Sequence, residues 1–234
     1  MAFSFQGSRD SLVHLIKGYF STGSYKLAIY RMKQLIKMDQ HLSFEERDVL
    51  FNICLGVKNS LYNNYQMLSV ANLNEKTRID LKEETKLLVY GHMNEALELV
   101  NSCWIEKDQN RKAILDYKYF RGLLHYCKCT VSQHNQRQYE SERETALEYF
   151  EEILQTPDDV LEAAHPTRLR AASHKALLLP NLNEKILKSA MAYVKGKQGL
   201  DGLNKELQGY AKRDLDRLWN DVEFYKAQKK DKAL

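Results

Sequence analysis

The residue types that could do chemistry come closest together at His125, Cys127, Cys129 and His134. Two thiols and two imidazoles in ten residues suggest a zinc site. On a helix, however, Cys127 and Cys129 point about 160° apart, whereas zinc prefers Cys-x2–4-Cys on a turn. Buried structural thiols are the expectation, with no metal. The glycine patterns of phosphate loops and dinucleotide folds are absent. No serine or cysteine stands at a readable spacing from a histidine and a carboxylate. The chain is therefore expected to be no enzyme and to carry no cofactor.

The elements that position these residues follow from composition and periodicity. With 234 residues, the chain is long enough for a substantial core, and with no Gly-rich or Ser-rich linker it reads as one domain, 1–234. The formal net charge is 35 − 31 = +4, too mild to imply nucleic acid. Lys226, Lys229, Lys230 and Lys232 concentrate at the C-terminus, where residues 225–234 read as a frayed, solvated basic tail. The first ten residues lack a signal peptide's basic start and apolar run. No stretch reaches the roughly 18 apolar residues needed to cross a bilayer. A cytoplasmic protein with reduced thiols, bound to no membrane, is the expectation.

Apolar residues recur at helical spacing nearly throughout. Leu27, Tyr30 and Ile36 form one stripe after Gly23-Ser24. Ser43-Phe44-Glu45-Glu46 is a capping box, opening a helix that runs to about Asn72. A second long helix is expected from about Glu75 to Lys107, then one from Ile114 to Cys129. After a polar loop, 132–138, a helix from Arg143 to Leu154 ends at Thr156-Pro157. Pro166 suits the first turn of the next helix. Asn181-Leu182-Asn183 and the glycines Gly196, Gly199 and Gly202 bound two final helices. No alternating or Val/Ile/Thr-rich run asks for a strand. The fold class is all-α, about nine antiparallel helices. A helical-repeat protein is the rival: Glu144–Leu154 and Tyr25–Ile36 have a tetratricopeptide flavour, without a sustained period.

Two framework segments give a sharper expectation. Leu42-Ser43-Phe44-Glu45-Glu46-Arg47 and His165-Pro166-Thr167-Arg168-Leu169 resemble segments of the 14-3-3 family, opening its third and seventh helices. Counted from Arg47, the resemblance covers nearly the whole chain. Tyr25 matches a tyrosine of the second helix, Met93-Asn94-Glu95 a Cys-Asn-Asp of the fourth, and Tyr117 and Gly122 the fifth. The resemblance implies nine antiparallel helices, a homodimer through the first four, and an adaptor that binds phosphoserine and phosphothreonine peptides in a groove.

The groove positions depart from that family. On the third helix Leu55 and Tyr62 stand at its lysine and first arginine. On the fifth, Tyr119 takes a second lysine, Leu123 a carboxylate, and Tyr126 and Cys127 an arginine–tyrosine pair. A one-residue slip would put His125 and Tyr126 there instead. His174 replaces the peptide-holding asparagine, Asn181 a glutamate, Asp221 or Glu223 a second asparagine, and Tyr225 a tryptophan. Losing three cations, each bond worth about 1.5–3 kcal/mol, removes on the order of 5 kcal/mol of phosphate affinity. Lys58, Arg121 and His125 are the candidate substitute ligands. Tyr62, Tyr65, Tyr119 and Tyr126 either line an apolar trough for an unmodified peptide or pack together and close it. At the dimer face, Ser24, Leu27, Glu84 and Leu88 replace the family's paired charges, and apolar replacement preserves association. The expected function is a protein-binding adaptor with weak or absent phosphoserine recognition. The alternatives are a working phosphopeptide adaptor with substituted ligands, or an unrelated α-helical-repeat protein.

Overall fold

The computed structural model describes residues 7–70, 74–103, 110–132 and 135–231; within the third helix the side chains of 57, 58, 60–66 and 68–70 fall outside the description. The described residues form nine α-helices and no strand: α1 Arg9–Ser21, α2 Tyr25–Met38, α3 Phe44–Val70, α4 Glu75–Cys103, α5 Arg111–Val131, α6 Gln136–Gln155, α7 Pro166–Leu178, α8 Leu182–Gly199 and α9 Lys205–Asp231, with a 3-10 turn at Leu200–Gly202 before α9.

Asparagine sets most of the helix starts. The side-chain oxygens of Asn74, Asn110, Asn135, Asn181 and Asn204 accept backbone N–H groups of the helices that follow, at 2.9, 3.2, 3.2, 2.8 and 2.9 Å. Each cap satisfies a donor that the first turn leaves without an intrahelical partner. This corrects one expectation. The loop read at 132–138 is shorter, because Asn135 starts α6 at Gln136, seven residues before Arg143. The extra turns are polar, mostly exposed or half-buried, and so carry no apolar period. Asn110 likewise starts α5 at Arg111 rather than Ile114. The basic C-terminal segment is helical as far as Asp231 and exposed over 226–230.

The capping box of α3 is present. The Glu46 backbone N–H donates to Ser43 Oγ at 3.2 Å, and Glu46 Oε2 accepts from the Ser43 N–H at 2.7 Å. Arg9 adds a fork to the same carboxylate, 2.6 and 3.0 Å long. Burial alone would raise the Glu46 carboxyl, but Arg9 and the Ser43 N–H hold it below the usual carboxylate value. Arg47 turns back to donate to the Leu42 carbonyl at 2.6 Å.

The chain divides into two compact units. One is Met1–Lys107 with Cys127–Tyr139; the other is Asp108–Tyr126 with Glu140–Leu234. In the first, α1 packs on α2 and α3, α2 on α3 and α4, and α3 on α4. Leu12, Ile16, Met32, Leu35, Leu50, Ile53 and Met93 are buried there. Gly23 turns α1 into α2 with φ of 73°, a conformation that costs glycine nothing. In the second unit α7 packs on α8 and α9, and α8 on α9, around Leu169, Ala172, Leu203, Ala211, Leu215 and Leu218.

The segment 165–169 explains itself physically. His165 caps α7, its Nδ1 accepting the Thr167 N–H at 3.3 Å, and Pro166 occupies the first helical position. The Arg168 guanidinium reaches back over the α6–α7 connection. It donates to the carbonyls of Thr156 and Leu161 and pairs with Asp158 at 2.9 Å. Leu169 enters the core.

Candidate functional site

The expected groove positions of the second unit lie on α5, α7, α8 and α9. Tyr119 and Tyr126 sit seven residues apart on α5, two turns along one face, and both meet His174 on α7. Their ring centroids lie 5.9 and 5.3 Å from the imidazole. Phe150 of α6 completes the cluster, 6.0 Å from His174 and 6.1 Å from Tyr119. His174 and Phe150 are fully buried, Tyr119 is 1% exposed and Tyr126 8%.

The Tyr119 hydroxyl and His174 Nδ1 meet inside this cluster. His174 Nδ1 lies 2.9 Å from the Arg170 carbonyl and 3.2 Å from the Tyr119 hydroxyl. A carbonyl only accepts, so the proton is on Nδ1, shared between that carbonyl and the phenol oxygen. Leu123 is fully buried. Gly122 lets α6 come close: a Cβ there would lie 2.8 Å from the Phe150 ring and 3.0 Å from Tyr149 Cβ.

The ionisable candidates already have partners. His125 Nδ1 is 2.6 Å from Glu142 Oε2, and its ring stacks on Tyr149 with centroids 6.1 Å apart. Arg121 is half-buried. On α9, Asp221 accepts the Ser173 hydroxyl at 2.7 Å. Neighbouring Arg170 pairs with Asp214 at 2.9 Å. Tyr225 is buried beneath Lys185, whose ammonium stands 5.6 Å from its ring. Burial, with Asp221 nearby, pushes its phenol up to about 12. Exposed Asn181 is the cap of α8, and Glu223, the alternative to Asp221, is exposed and pairs with Lys226 at 2.9 Å.

In the first unit Leu55 is half-buried on α3, while the side chains of Lys58, Tyr62 and Tyr65 lie outside the described residues. Cys127 is buried near Cys54. Burial pushes the thiols of Cys54 and Cys103 up to about 12, which suits structural cysteines rather than nucleophiles or metal ligands. His134 lies outside the described residues, and among the described ones no three His, Cys, Asp or Glu side chains converge.

At the expected dimer face, Leu27 and Leu88 are 48% and 49% exposed, with Tyr30 and Leu87 exposed beside them in sequence. Ser24 is half-buried and Glu84 exposed. Ser24 precedes α2, and the others belong to α2 and α4, which pack on each other. Two participants escaped sequence reading. Phe150 carried only helical periodicity as a signal, and Ser173 carried none. Among known proteins, no family model and no curated sequence matches the chain.

Proposed function

We propose that the chain is a non-enzymatic, cytoplasmic 14-3-3-like adaptor that binds other proteins without depending on phosphoserine, and that it works as a homodimer. The observation carrying this reading is the chemistry at positions which the resemblance assigns to peptide recognition. Tyr119, Tyr126 and His174 bury against one another, and His125 is engaged by Glu142. Asp221 adds a carboxylate on the α9 side. A phosphate with close to two negative charges needs forked cationic donors, and phenols supply none. The dimer is supported by the apolar side chains left exposed on α2 and α4, for which water is a poor neighbour. No described helix is long and apolar enough to cross a membrane.

The test is titration of a singly phosphorylated serine peptide and its unphosphorylated twin. Weak binding that is the same for both is expected. A submicromolar constant that depends on the phosphate would overturn the proposal and direct mutagenesis to Lys58 and Arg121.

A further inference from the structure

A pocket of about 200 Å³ opens between α6, α7 and α8, wholly within the second unit and apart from the aromatic cluster. Its apolar lining comes from Leu154, Leu169, Ala172, Met191 and Ala192. A cavity of about 150 Å³ holds benzene, so this space accepts a small ring or an alkyl chain of similar bulk. The charges around it do not balance. Arg168 is held by Asp158 and by loop carbonyls, and Lys175 is paired with Glu151. Lys188 and Lys195 also line the pocket, and both are exposed. Neither makes an ion pair with a described residue.

A second observation points the same way. Lys175 is held below the usual lysine value first by burial and then by the charge of Lys188, against the opposing pull of Glu184. Glu184 stands one turn before Lys188 on α8 and does not line the pocket. The uncompensated charge of Lys188 is thus felt within the pocket lining, and an anion bound on Lys188 offsets it.

We infer that this pocket binds a small amphiphilic carboxylate, its apolar body between α6, α7 and α8 and its head group on Lys188 and Lys195. The inference stands independently of the adaptor reading, because it uses none of the groove residues. The anion is a compact one: a bare inorganic ion leaves the apolar walls wet, and an uncharged amphiphile leaves the lysines uncompensated.

Octanoate is the probe, titrated into the full chain by calorimetry and by amide chemical shifts. A ligand of about ten non-hydrogen atoms gives saturable one-to-one binding on the order of a millimolar. The shifts should map to α6, α7 and α8. Acetate and octan-1-ol should each bind at least about tenfold more weakly, a difference of about 1.4 kcal/mol. K188E/K195E should lose octanoate to the same degree while keeping its melting temperature, since both side chains are exposed. If that variant misfolds, K188Q/K195Q carries the test with the same expectation. Octanol binding as tightly as octanoate, no saturable binding, or unchanged affinity in the lysine variants would each overturn the assignment.

Discussion

Replacing His174 by alanine separates a packed aromatic cluster from an open trough. The imidazole is fully buried among three rings at 5.3–6.0 Å. Truncating a buried ring costs about 3–5 kcal/mol, and each aromatic contact contributes about 0.5–1.5 kcal/mol of that beyond area. His174→Ala also leaves the Tyr119 hydroxyl and the Arg170 carbonyl without their shared N–H, so the upper half of that range is expected. Tyr119→Phe is the gentler companion. It removes only the phenol oxygen, and Nδ1–H keeps the carbonyl, so about 1 kcal/mol is lost. In a chain of this size each kcal/mol lowers the melting temperature by about 2–4 °C, so His174→Ala should fall by roughly 10 °C or more. Urea titration followed by helical circular dichroism measures both, with an unchanged slope as the check that the unfolded state is the same. A loss below about 1 kcal/mol for His174→Ala would mean that the ring faces solvent, and the packed-cluster reasoning would fail.

Stability should decline with acid from about pH 6.5 downward. His165 is buried, its Nδ1 already accepting an N–H, and burial holds its folded value below the ordinary 6.5. The unfolded chain therefore binds the extra proton first. Stability present above 6.5 is lost as pH falls below it, by at most about 1.4 kcal/mol per unit. His165→Asn, which keeps a cap acceptor, should flatten urea-denaturation profiles between about pH 5 and 6.5; a profile parallel to the parent's would refute the attribution. Gly122→Ala should cost about 1–3 kcal/mol in a denaturant titration, because its Cβ meets the Phe150 ring at 2.8 Å. Light scattering should give a dimer for the parent and a monomer for Leu27→Glu/Leu88→Glu, whose sites are half-exposed; a monomeric parent would remove the dimer proposal.

Much of the framework was legible in the sequence because its signals are local. Ser43 and Glu46 sit three apart as a capping box must, and Pro166 needs only its own ring to mark a first turn. Asn181 was readable as punctuation, but Asn135 was hidden in a polar run, and Asn204 stood behind the glycines read as the boundary. The aromatic site was half legible. The seven-residue spacing of Tyr119 and Tyr126 puts them on one face, yet a tyrosine type fits a core as well as a groove. What decides burial is Phe150 and His174, 31 and 55 residues from Tyr119 in the chain. The α6–α7–α8 pocket left no trace in the sequence, since its lysines read as an ordinary solvated helix face.

All four cysteines, Cys54, Cys103, Cys127 and Cys129, are buried and reduced, and all belong to the first unit. The second unit contains none. A thiol whose value stands near 12 reacts with an alkylating reagent only after the helices around it part. The chain thus carries a built-in clock for the opening of one half of itself. Labelling rates at Cys54 and Cys103 time the separation of α3 and α4 without any introduced probe. A substitution confined to α6–α9 that quickens those rates would reveal that the two units share their cooperativity, and one that leaves them unchanged would reveal that each keeps its own.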